Sequence, residues 1–83
     1  MKNIEKLIQE DNPGVDDLIK CLEKIKEDGN VVVIKFDGER SDAQYTVFIS
    51  FPVSLDRQMI RADKDSLVEA LKEVLTQYLH LLN

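Results

Sequence analysis

The stretch SLVEALKEVLTQYLHLL, Ser66 to Leu82, decides the fold. At about 100° per residue, Leu67, Leu71, Val74, Leu75, Tyr78, Leu79, Leu81 and Leu82 spread over a helical arc of roughly 180°. Glu69, Lys72, Glu73, Thr76 and His80 hold the opposite side. A helix that only covers a sheet needs an apolar stripe of about 100°. The surplus must be buried against the chain's own N-terminal helices or against another molecule. Ser66 followed by Glu69 matches a capping box, so Asp63 to Ser66 is read as the approach to this helix.

Upstream, Tyr45, Val47, Ile49 and Phe51 alternate with Thr46 and Ser50, the period of a strand with one core face. Val31 to Asp37 is a second β-branched run, and Val32, Ile34 and Phe36 are its natural core residues. Gly38-Glu39-Arg40-Ser41-Asp42 forms a polar hairpin loop between the two. The other face then holds Val31, Val33 and Phe48 among Lys35, Thr46 and Ser50, a second place where apolar surface seeks a contact. Phe51-Pro52 ends the strand, because Pro cannot donate to a ladder. Arg57 to Ala62 is read as a third, edge strand with Arg57 and Arg61 on one side.

Toward the N-terminus, Val15, Leu18, Ile19, Leu22 and Ile25 line one face of a helix that Gly29 stops. Asn12-Pro13 reads as its N-cap and first residue, with Asp16 and Asp17 suited to the positive end of the helix dipole. Ile4, Leu7 and Ile8 imply a short helix before it. The fold class is therefore α+β, one domain over residues 1–83. Two N-terminal helices precede an antiparallel three-stranded sheet, at least a hairpin, and a long amphipathic helix packs on that sheet.

Composition limits the function. The net charge is −5, with five lysines against eight acids in Met1 to Asp28 and a neutral middle from Gly29 to Ala62. Phosphate backbones are held by accumulated Lys and Arg, so nucleic acid is not an expected partner of this chain by itself. An acidic surface fits solubility or docking onto a basic partner. The longest aliphatic run, Val31 to Ile34, is far short of the roughly 20 residues of a membrane span. Charges at Glu5, Glu10 and Asp11 leave no signal-peptide core, and Cys21 stands alone. Together these point to a reducing cytoplasm and away from a membrane.

The order α-β-β-β-α is that of double-stranded-RNA-binding domains, and the β-β-β-α part resembles HicB-type antitoxins. The matching stretches are Tyr45-Thr46-Val47-Phe48-Ile49, Phe51-Pro52 and Asp65-Ser66-Leu67-Val68-Glu69-Ala70, within about half the chain. The resemblance implies an antitoxin role. The Leu-Pro-Gly-Cys-like turn usual in that family is absent, and the two N-terminal helices fall outside it. RNA binding is not implied, because only Lys64, between Asp63 and Asp65, stands where that family's last helix grips phosphates.

No motif makes a case for an enzyme. His80 falls on the polar face, and Glu73, which shares that face, lies two turns away. Cys21 lies at the edge of an apolar stripe, where Cys packs as a small hydrophobe. One Cys and one His cannot fill a four-ligand zinc site. Counted from Asp37, the loop places Asp42 and Phe48 where a calcium-binding EF-hand needs Gly and Glu. Gly14, Gly29 and Gly38 are too scattered to cradle phosphate. No cofactor is expected.

Arg40, Arg57 and Arg61 are the only arginines and cluster in the sheet region. Arg is favoured over Lys where carboxylates are recognised or interfaces buried. The expected function is thus that of a small acidic non-enzymatic module that occupies the surface of a partner protein, in the manner of an inhibitor, immunity protein or antitoxin. Glu39, Arg40, Asp42, Arg57 and Arg61 are its candidate contacts. The alternatives are a homodimer that buries either Val31, Val33 and Phe48 or the helix flank at Val68, Tyr78 and Leu79, or a small-ligand-binding domain.

Overall fold

In the computed structural model, which describes residues 2–82, the chain folds as an α+β sandwich of two layers. Helices α1 (Lys2–Gln9) and α2 (Val15–Glu27) are followed by β1 (Val31–Phe36) and β2 (Tyr45–Ser50). A single 3-10 turn at Val53–Leu55 leads to β3 (Ile60–Lys64), and α3 (Leu67–Leu82) closes the fold. The sheet is antiparallel in the order β1-β2-β3. Val47 lies opposite Ile34 on one side and Ala62 on the other.

The core sits between α3 and the two strands β2 and β3. Leu71, Val74 and Leu75 meet Val47, Ile49, Ile60 and Ala62 there, all of them buried. The rest of α3's wide apolar arc is covered by α1 and α2, whose Ile4, Leu18, Leu22 and Ile25 join the same core. Lys72 Nζ donates to the Glu10 carbonyl at 2.9 Å, a cation placed at the negative end of α1. Most of the surplus apolar surface on α3 is therefore satisfied within the chain, and Leu81 and Leu82 are its exposed remainder.

Helix ends follow local chemistry, with one displacement. Ser66 Oγ accepts the Glu69 N–H at 3.1 Å and caps α3. At the end of α2, Gly29 takes φ +94°, and its N–H reaches the Lys26 carbonyl at 2.9 Å. Asn30, buried behind it, donates from Nδ2 to the Ile25 carbonyl at 2.9 Å. The start of α2 differs from the Asn12-Pro13 expectation. Gly14 is the N-cap, without a side-chain hydrogen bond, and Pro13 is buried ahead of the helix. Pro13 fixes φ equally well in an extended approach, so its ring packs and does not start the helix.

The third strand also lies further along than Arg57 to Ala62. It runs from Ile60 to Lys64, so Asp63 and Lys64 belong to the sheet and not to the approach to α3. Ile60 and Ala62 are the buried residues that pin this register against Ile49 and Val47. Arg57 falls outside the strand. Phe36 shares the helix-side face with Tyr45, which it meets edge-on at 5.5 Å between ring centroids, but it is 66% exposed. The helical layer ends before reaching it.

Candidate functional site

All helices lie on one face of the sheet, so the opposite face is open. Alternation puts Val31, Val33 and Lys35 of β1, Thr46 and Phe48 of β2, and Arg61 and Asp63 of β3 on that face. At its end stands the loop from Asp37 to Gln44. Asp37 donates its N–H to the Gln44 carbonyl at 2.8 Å and accepts the Glu39 N–H at 3.1 Å. Lys35 Nζ lies 3.2 Å and Arg40 Nε 3.4 Å from its other oxygen. The Glu39 amide and then the Lys35 ammonium hold the Asp37 carboxyl below the usual carboxylate range.

Asp63 gathers the rest. Arg61 reaches it with two nitrogens, at 3.0 and 3.2 Å, and Arg40 Nη1 with a third at 3.1 Å. The Thr46 hydroxyl donates to the same carboxylate. Four donors converge on one anion. The bonds from Arg61 and Thr46, with Arg40 adding to them, hold its carboxyl far below the usual range. Asp63 in turn raises Arg61 above the ordinary guanidinium value. Thr46 is only 2% exposed under this cluster, on the sheet face that is otherwise open.

Three further hydrogen bonds fix the loop. Arg40 Nη1 also donates to the Ala43 carbonyl at 3.3 Å, and Gln44 Nε2 donates to the Arg40 carbonyl at 2.6 Å. Ala43, at φ +47°, donates its N–H to Asp65 Oδ1 at 2.6 Å. The loop is thereby tied to both ends of the Asp63-Lys64-Asp65 segment. At its tip Glu39 and Asp42 are exposed, with no ion-pair partner among the described residues.

The five predicted contact residues therefore divide. Arg40 and Arg61 converge on Asp63, Glu39 and Asp42 form the free tip, and Arg57 stands at the other end of the sheet. There its guanidinium carbon lies 5.6 Å from the centre of the Phe51 ring, which stacks on Tyr78 at 6.3 Å. Of the residues named as dimer contacts, Val31 is exposed and Val33 and Phe48 are half-buried on the open face. Val68 is half-buried against the core. Tyr78 and Leu79 are 4% and 7% exposed, their surface already covered within the chain.

Sequence reasoning missed Asp63, Asp65 and Thr46. The signal was present in the alternation of Arg61 and Asp63, which puts an opposite-charge pair on one strand face. Elsewhere Cys21 is buried, and burial pushes its thiol up, with Lys24 opposing. His80 is exposed on the outer side of α3. Among the described residues, no three His, Cys, Asp or Glu side chains are grouped to hold a metal ion. Among the described residues, no helix is long and apolar enough to cross a membrane. No protein-family model, curated protein or solved structure matches the chain.

Proposed function

We propose that this protein is a non-enzymatic binding module whose rigid hairpin tip carries Glu39 and Asp42 to a basic surface on a partner protein. The observation that carries this reading is the division of charge in the loop. The cations Lys35, Arg40 and Arg61 are spent on Asp37 and Asp63, and the two tip carboxylates are left free. A loop already held by the Asp63 and Asp65 contacts loses little conformational freedom on binding, which favours affinity. Charge complementarity of this kind sets encounter rate and specificity. The role is that of an inhibitor, immunity protein or antitoxin-like regulator, which acts by covering its partner.

The test is affinity capture with the wild-type protein beside a Glu39→Ala/Asp42→Ala variant that leaves Arg40 and its anchors intact. The expected result is a stoichiometric basic partner that the wild type retains at low salt, releases at high salt, and the variant fails to hold. Equal retention of the partner by wild type and variant would remove the tip from the interface.

A further inference from the structure

The outer edge of β1 is unlike the rest of the surface. β1 is a terminal strand of the sheet, paired only with β2, and among the described residues nothing covers its other edge. Asp37 turns its N–H toward β2, so by alternation Val31, Val33 and Lys35 do the same. Val32, Ile34 and Phe36 turn their N–H and carbonyl groups outward.

Those three residues also carry the side chains on the helix-side face. Val32 and Ile34 line a groove of about 290 Å³ between β1 and α2, together with Ile19 and Leu22. Glu23 and Lys26 stand on its rim. Phe36 projects at the end of the strand. Free main-chain groups and apolar side chains thus coincide on one edge.

Natural sheets blunt such an edge with proline, bulges or charge. The opposite edge of this sheet is blunted: Arg61 and Asp63, the β3 residues whose backbone groups turn outward, are charged. β1 has Val-Val-Val-Ile-Lys-Phe, with no Pro, no Gly and no charge on its groove side.

We infer that the β1 edge joins a second copy of this chain, antiparallel across a two-fold axis at Ile34, so that the two sheets form one continuous six-stranded sheet. The register is self-complementary. Val32 of each copy faces Phe36 of the other, Ile34 faces its own equivalent, and all three outward residues form about six main-chain hydrogen bonds. Each exposed Phe36 then lies beside the groove of its partner. The axis also sets α2 antiparallel to its copy. That reverses the order of Glu23 and Lys26, so acid on one rim meets base on the other. An antiparallel pair points the two hairpin tips to opposite ends, leaving Glu39 and Asp42 of both copies free. This inference does not depend on what the tips bind.

Sedimentation equilibrium on the full chain from low to high micromolar concentration tests it, beside Val32→Pro and Phe36→Lys. Pro at position 32 removes only an outward N–H, so the intramolecular ladder is kept. Expected is a wild-type mass twice the 9.5 kDa of one chain, with dimerisation at least about tenfold weaker in each variant. A wild type that stays at one chain mass overturns the inference, and so does a dimer that both variants retain at full strength. Should either variant fail to fold, amide exchange on the wild type decides. Val32, Ile34 and Phe36 amides protected in step with protein concentration support the pairing. Fast exchange there at high concentration, or edge protection that appears only when a peptide of another protein is added, overturns it.

Discussion

Arg40 and Asp63 lie 23 residues apart in sequence, yet Arg40 Nη1 donates to Asp63 Oδ1 at 3.1 Å. One guanidinium thereby spans from the hairpin loop to the last full pleat of β3. The same carboxylate holds Arg61 and Thr46, so loop, central strand and edge strand share one anchor. The two arginines are partly exposed, so their ion pairs alone contribute little in water, and the bond from buried Thr46 is the part of the network that stabilises most.

Asp63 makes the fold sensitive to acid. An unfolded Asp titrates at about pH 3.9. In the folded chain Asp63 keeps its charge to lower pH, so on falling below about 4 the unfolded state binds the proton first and stability drops. Asp37 acts in the same direction. Asp63→Asn should lower the urea midpoint at neutral pH and flatten its decline below about pH 4. Urea melts of both proteins across that range check this. Parallel declines would mean that the pairs at Asp63 carry no linkage.

Thr46 tests the buried end of the same network. Thr46→Val keeps the side-chain shape and removes one donor to a charged acceptor that retains two arginines. A loss of about 1–2 kcal/mol is expected in denaturant unfolding, with the far-UV spectrum unchanged. No loss would show that the arginines alone satisfy Asp63.

The α3 arc was legible from spacing alone because helical periodicity is local. Leu71, Val74 and Leu75 sit where the arc put them, at the sheet. The same holds for the alternation in β2. What covers the remainder of the arc depends on how α1 and α2 return across α3, a long-range matter that no window of residues contains. The boundary of β3 was hidden for a related reason. Its start is set by Ile60 meeting Ile49, whereas Arg57, Gln58 and Met59 have no partners in the sheet. Once Asp63 is misplaced outside the strand, its meeting with Arg40 and Thr46 cannot be foreseen.

The arc itself yields a contrast. Leu75 is fully buried among core residues, and Leu75→Ala should cost about 2–5 kcal/mol, a large part of a small domain's stability. Leu82, 48% exposed at the end of α3, should cost less than about 0.5 kcal/mol on the same change. Thermal or urea melts of the pair measure the difference. A large loss at Leu82 would mean that its surface is covered in solution.

Gly29 and Ala43 both have positive φ, the backbone region that favours glycine, so substitutions in opposite directions should differ in sign or size. Gly29, at φ +94°, ends α2 with open space around its Cα, so Gly29→Ala meets no clash and suffers only backbone strain. It should destabilise by about 1 kcal/mol. Ala43, at φ +47°, already bears such strain within the loop. Ala43→Gly relieves it, while adding freedom to the unfolded chain, so the net change should be small, within about 0.5 kcal/mol of zero. The larger effect should come from Asp65→Ala, which removes the acceptor of the Ala43 N–H. That bond fixes the loop base, so its loss should speed amide exchange from Glu39 to Ala43 while the β2 amides keep their protection. Unchanged exchange in the loop would show that Arg40 and Gln44 hold the tip without Asp65.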